Sequence, residues 1–142
     1  MSKLIVPKEY GAIIARLAPL SILSGSYAVY RGHYGLSFFP LSVGITTYMY
    51  WTNPTYSWRR TLDMSLVITA ALYQTWVAYY ATYMIPYYVF KVLGVGCYLA
   101  GLYVHYVKND RYIGILFHSG VHVFANIGNF FLYSSTIGDV HT

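Results

Sequence analysis

Apolar residues recur in long runs along the whole chain, and short polar stretches separate one run from the next. The runs cover residues 11–30, 36–51, 61–81, 87–107 and 112–133. A helix needs about 20 mainly apolar residues to cross the hydrocarbon of a bilayer. The pattern therefore predicts an all-α polytopic membrane protein, a bundle of five transmembrane helices in a single domain, 1–142. Four spans are the alternative, if the first or second run lies in the membrane interface.

The last run carries four polar side chains inside an otherwise apolar segment. They are His118, His122, Asn126 and Asn129, at spacings of four, four and three residues. Residues at these spacings share one face of a helix. Lipid is a costly neighbour for such a face, so we expect these four residues, the polar stripe, to contact protein, water or a ligand.

The composition agrees with a membrane protein and excludes several other classes. Of the 142 residues, 57% are hydrophobic and 9% are charged, whereas soluble domains carry about 25% charged residues. The single cysteine, Cys97, excludes a disulfide within the chain and a four-cysteine metal site. The net charge of +5 arises mainly in short polar stretches, where it indicates topology and membrane-lipid contact rather than nucleic-acid binding.

The basic residues predict an orientation. With the loops numbered alternately, one side collects Lys3, Lys8, Arg59, Arg60, Lys108 and Arg111. Arg31 falls on the opposite side, together with Asp139. Because positive residues accumulate on the inner side of membranes, we expect the N-terminus inside and the C-terminus outside.

Small residues form a strip along the fourth run, which predicts a surface for close helix packing. The strip consists of Gly94, Gly96, Cys97, Ala100 and Gly101.

One interpretation of the polar residues is a metal site. Histidines four residues apart, here His118 and His122, can bind one zinc ion from a single helix face. In the predicted topology Asp63 and His105 lie in the same half of the membrane as His118, so either could complete the ligand set if the spans pack together. Zinc-bound water would then be a nucleophile near neutral pH. Asp63 has a second interpretation, as a carboxylate in the first turn of its helix that stabilises the helix dipole.

Two further interpretations remain open. His118 and His105 could ligate haem from different helices, as in a small haem- or proton-carrying subunit of a respiratory complex. Alternatively, the polar stripe is structural and forms hydrogen bonds to other helices, each worth roughly 0.6 to 2 kcal/mol. Its partners would be Gln74, Thr46, Thr47, Asp63 and tyrosine hydroxyls.

Two segments carry a resemblance to known proteins. The segment from Trp51 to Asp63, which ends WRRTLD, and HSGVHVFANIGNFFLY at residues 118–133 resemble small multipass membrane proteins of algae, protists and their large double-stranded DNA viruses. The layout is distantly similar to the superfamily of alkaline ceramidases and progestin/adiponectin receptors. That resemblance implies a zinc-dependent lipid amidase with Asp63, His118 and His122 at its centre. The superfamily has seven spans, and a serine and a histidine where this chain has Thr47 and Trp51.

Among these possibilities we favour a non-catalytic membrane component without a cofactor, placed in a membrane complex or in a membrane-containing virion. Its partners would be membrane lipids and other membrane or capsid proteins. The small extramembrane mass, 18 tyrosines and the incomplete metal-ligand set motivate this expectation. The alternatives are the zinc-dependent lipid hydrolase and the haem- or proton-carrying subunit.

Overall fold

A computed structural model describes residues 4–138 and confirms that this part of the chain is helical. The helices are α1 (Lys8–Ala15), α2 (Ala18–Tyr30), α3 (Tyr34–Trp51), α4 (Trp58–Ala78), α5 (Met84–Tyr106) and α6 (Arg111–Ser134). Extended pairing within residues 4–138 is limited to isolated bridges, Leu4 with Thr55 and Ala81 with Ile137. Lys3 and Asp139, which contribute to the predicted topology, lie outside the described residues.

Within residues 4–138, three helical stretches are long and apolar enough to cross a membrane. They are Lys8–Tyr30, which comprises α1 and α2, Met84–Tyr106 and Arg111–Ser134. The helices α3 and α4 occupy the two other predicted spans and are not among these three stretches. The chain is thus a multi-pass helical protein, and a crossing by all five predicted spans stays a prediction.

The helices form one bundle in which α6 occupies the central position. It packs along α5 and also contacts α1 and α2, while α3 packs against α1, α2 and α4. By contrast, α4 touches α5 only sparsely and lies at the edge of the bundle. The core has two clusters, one around Tyr87, Leu132 and Tyr133 and the other around Ile14 and Trp51.

Small residues allow α5 and α6 to approach closely. A Cβ atom added to Gly101 would lie 3.2 Å from the carbonyl oxygen of Gly114, and one added to Gly120 would lie 2.9 Å from the Cys97 sulfur. Gly94 is also buried towards α6, whereas Ala100 is half-buried. Gly96 lies outside this seam, since a Cβ added there would meet nothing within 4 Å. The antiparallel α5–α6 pair, joined by a short loop, is thus the close-packed unit of the bundle.

The start of α4 corrects one expectation about Asp63. The helix begins at Trp58, after Ser57, and its first turn contains no acidic residue. Asp63 therefore lies beyond the first turn, where its side chain cannot cap the helix, and the first-turn interpretation of Asp63 is wrong.

Candidate functional site

The two histidines of the polar stripe lie next to each other on α6, between aromatic rings from two other helices. The ring centroids of His118 and His122 are 5.3 Å apart. The His118 ring lies 5.0 Å from the Trp51 ring of α3 and 6.4 Å from the Tyr98 ring of α5. Both imidazoles are half-buried. They therefore occupy the place where α3, α5 and α6 meet.

Asp63 is held by α3. Its Oδ1 atom accepts hydrogen bonds from the Thr46 hydroxyl at 2.8 Å and the Thr47 hydroxyl at 3.0 Å. The carboxyl group is buried, with 6% of the residue exposed. Burying a carboxyl group is costly unless its oxygens find donors, and two adjacent threonines supply them here. Asp63 thus joins α4 to α3.

Asn126 joins α6 to α2. Its Oδ1 atom accepts a hydrogen bond from the Ser24 hydroxyl at 2.7 Å. Its Nδ2 group donates to the Ser21 hydroxyl at 3.2 Å and to the His122 carbonyl oxygen at 2.8 Å. Both serines and Asn126 are buried. The small residues of the first predicted span therefore supply the hydrogen-bond partners of the stripe.

A third polar contact links α4 to the end of α6. The Gln74 Nε2 group donates a hydrogen bond to the Tyr133 hydroxyl at 2.8 Å, and both residues are buried. The neighbouring Tyr87 hydroxyl is also buried and has no hydrogen-bond partner among the described residues. Nearby, the Tyr88 hydroxyl donates to the Thr75 carbonyl oxygen at 2.7 Å and adds a link between α4 and α5.

The predicted metal ligands are only partly brought together. His118 and His122 are neighbours, whereas His105 packs its ring against Tyr106 at 4.6 Å, and Asp63 bonds with the threonines. Within residues 4–138, no group of three or more His, Cys, Asp or Glu side chains is placed to hold a metal ion. A catalytic zinc ion takes three protein ligands, and the indole of Trp51 offers none. Among the described residues, the histidine pair therefore offers two imidazole donors and falls short of the three ligands of a catalytic zinc ion.

The remaining predicted residues fall into the same helix contacts. Asn129 is buried on α6, as Asn126 is. The sequence does not single out Trp51, Tyr98, Ser21, Ser24 or Tyr133 as site residues. The recurrence of Ser21 and Ser24 in one apolar run is the available signal, although by itself it indicates only close packing. Tyr133 carries no signal that separates it from the other 17 tyrosines of the 18 in the chain.

The outer surface defines the class of protein. Large apolar side chains are exposed along the outward faces of α4 and α5, including Leu72 at 70%, Val92 at 70% and Ile85 at 72%. A chain with polar groups at helix contacts and apolar side chains outside is a multi-pass integral membrane protein. Comparisons of the chain with protein-family models, curated proteins and solved structures found no match.

The contact between Ser24 and Asn126 gives a testable prediction. In a double-mutant cycle with Ser24→Ala and Asn126→Ala, we expect a coupling energy of about 0.6 to 2 kcal/mol, because hydrogen bonds between membrane helices fall in this range. The measurement is unfolding of the purified protein in mixed micelles. Ser26→Ala is the matched control, since the exposed Ser26 hydroxyl bonds within α2 to the Ile22 carbonyl. A coupling energy near zero would show that the Asn126 side chain does not stabilise the contact between α6 and α2.

Proposed function

We propose that this protein is a non-catalytic integral membrane component of a larger assembly, in a membrane complex or in the membrane of a virion. Its five predicted spans would lie in the bilayer, and its partners would be other membrane proteins or capsid proteins. The proposal assigns the interior to holding the bundle together and the outer faces to lipid and partners.

The observation that supports this proposal is that buried polar side chains form hydrogen bonds from one helix to another. Asp63 bonds to α3, Asn126 bonds to α2 and Gln74 bonds to the end of α6. The first contact joins two consecutive helices, and the other two join helices that are distant in the sequence. Each contact fixes the relative register of the helices that it joins. Polar side chains that form hydrogen bonds between helices are not available to bind a substrate. The interior therefore favours a structural role over catalysis.

The surface of α4 supports the presence of a partner. Of this helix only Asp63, Ala70, Gln74, Val77 and Ala78 are buried. The rest of its face mixes apolar side chains with exposed polar ones such as Ser65, while the hydroxyl of the exposed Thr69 donates to the Ser65 carbonyl oxygen within the helix. Hydrocarbon offers no hydrogen-bond partner to a polar side chain, whereas a protein neighbour can supply one. Protein contacts also favour aromatic residues, and Trp76 is exposed on this helix. The outward face of α4 is thus the part of the bundle best suited to a protein neighbour.

Site-specific photo-crosslinking in native membranes tests the proposal. A photoreactive residue at Leu72 of α4 should give a discrete protein adduct, because the α4 face is proposed to meet a partner. The same residue at Val92 of α5 is the matched control, since both positions are 70% exposed. We expect Val92 to yield mainly lipid adducts. Lipid adducts alone at both positions, together with a monomer free of constant partners after mild solubilisation, would contradict an assembly role.

The zinc-dependent hydrolase is separated from this proposal by metal analysis of the purified protein. We expect the zinc content to stay well below one ion per chain, because two imidazoles fall short of the three protein ligands that a catalytic zinc site takes. His122→Ala is the comparison variant. One zinc ion per chain in the native protein, lost in His122→Ala, would overturn the non-catalytic role in favour of the hydrolase.

A further inference from the structure

The first membrane stretch contains an elbow with an exposed arginine. The helix α1 ends at Ala15 and α2 begins at Ala18, with Pro19 in the first positions of α2. The ring of a proline clashes with the carbonyl group four residues earlier, here that of Ala15, and this ends α1 at the observed place. Arg16 lies in the break, and its side chain is exposed. An exposed guanidinium group in an apolar stretch requires an anion or water beside it.

A groove beside this elbow collects cations and hydroxyl groups. It has a volume of about 680 Å³ and lies between α1, the start of α2 and the end of α3. Lys8 and Arg16 line it together with the hydroxyl-bearing side chains of Tyr48 and Thr52, and Glu9 is its one carboxylate. With two cations and one carboxylate, the lining keeps a net positive charge.

This groove is continuous with a second, mainly apolar groove that runs along α2. The second groove has a volume of about 720 Å³ and shares Arg16 and Pro19 with the first. Beyond these two residues its lining is almost entirely apolar, with Leu17, Leu20 and Leu23 along α2. A cationic end joined to an open apolar groove along the exposed side of a helix matches the two parts of a phospholipid.

We propose that these joined grooves bind a phospholipid, with the phosphate held by Arg16 and Lys8 and an acyl chain along Leu17, Leu20 and Leu23. A guanidinium group can donate two parallel hydrogen bonds to a phosphate, and Tyr48, which carries a further hydroxyl donor, lines the same groove. Arg16 lies eight residues after Lys8, roughly 12 Å along a helix. A long side chain in that position reaches back towards the interface, where lipid phosphates lie. The site does not depend on the proposed assembly role.

The experiment measures lipid binding to the full chain in detergent by native mass spectrometry. The probes are a short-chain phosphatidylglycerol and the diacylglycerol with the same chains, with inorganic phosphate as competitor. Because each cation near a lipid surface contributes roughly 1 kcal/mol, we expect Arg16→Gln and Lys8→Gln each to weaken phosphatidylglycerol binding about five-fold. The double variant should weaken it about 25-fold. Arg16→Lys should bind more weakly than the native chain but more tightly than Arg16→Gln, because lysine keeps the charge and loses the two parallel hydrogen bonds.

Lys108→Gln is the matched control for loss of one positive charge. Lys108 is exposed and follows α5 at the same end of the bundle, where the Tyr10 and Tyr112 rings of α1 and α6 lie 5.5 Å apart. We expect this variant to bind phosphatidylglycerol like the native chain. The proposal fails if Arg16→Gln binds unchanged, if Lys108→Gln loses as much affinity, or if diacylglycerol binds equally well. It also fails if millimolar phosphate displaces the lipid, since a free anion would then be the ligand.

Discussion

Replacing Gly101 with leucine is expected to destabilise the protein by about 1 to 3 kcal/mol. A Cβ atom at this position would lie 3.2 Å from the Gly114 carbonyl oxygen and 3.3 Å from the Phe117 Cβ atom. Backbone atoms cannot rotate away as a flexible side chain can, so α5 and α6 must separate. Separation weakens packing along the whole pair, which is the main source of association between membrane helices.

The chain offers a close control for this experiment at Gly96. A Cβ added to Gly96 meets nothing within 4 Å, although the residue lies on the same helix. Gly96→Leu should therefore leave the melting temperature near that of the native protein, whereas Gly101→Leu should lower it by roughly 3–10 °C. Thermal unfolding in detergent, followed by tryptophan fluorescence, gives both values. Equal melting temperatures for the two variants would show that α5 and α6 do not meet along this seam.

The second large effect is expected from the hydroxyl groups around Asp63. The double variant Thr46→Val, Thr47→Val removes both donors to the Asp63 Oδ1 atom while nearly preserving side-chain shape. A buried carboxyl group that loses its donors retains its desolvation cost. We therefore expect the free energy of unfolding to fall by roughly 2–4 kcal/mol, since leaving a buried acceptor without any donor costs about 1–3 kcal/mol, and more when the group is charged.

Adding Asp63→Leu to the double variant separates this explanation from a general packing defect. Once the carboxyl group is gone, the valines have no unsatisfied neighbour, and most of the lost stability should return. Unfolding in mixed micelles measures all three proteins under one condition. A triple variant that is less stable than the double variant would contradict the assignment of Asp63 to a structural contact with α3.

The histidine pair shows where prediction from the sequence reaches its limit. The spacing of His118 and His122 is enough to place them on one face of a helix, and they do lie together on α6. Their third neighbour depends on how α3 and α5 are rotated, and it proves to be the Trp51 ring, with Tyr98 further away. The metal interpretation requires a third ligand at this place. No local pattern encodes the rotation of one helix against another, because rotation follows from all the packed faces at once.

The hydrogen-bond partners of the polar stripe also depend on which helices pack together. A structural role for Asn126 is one of the interpretations that the sequence allows, with Gln74 and the threonines as expected partners. In the structure Asn126 pairs instead with Ser24, 102 positions earlier in the chain, while Gln74 pairs with Tyr133. The threonines bond to Asp63. Hydrogen-bonding capacity is visible in the sequence, whereas the partner depends on which helices become neighbours.

By itself, the sequence determined that this chain is helical and apolar enough to belong in a membrane. In hydrocarbon, each backbone amide must find its partner within its own segment, so long apolar runs have helix as their local solution. The tertiary structure alone decided that Gly101 but not Gly96 lies in the α5–α6 seam, and that α4 remains at the edge of the bundle. It also decided which partner Asp63, Gln74 and Asn126 each meet. These outcomes depend on side-chain shapes from distant parts of the chain, which must fit together simultaneously.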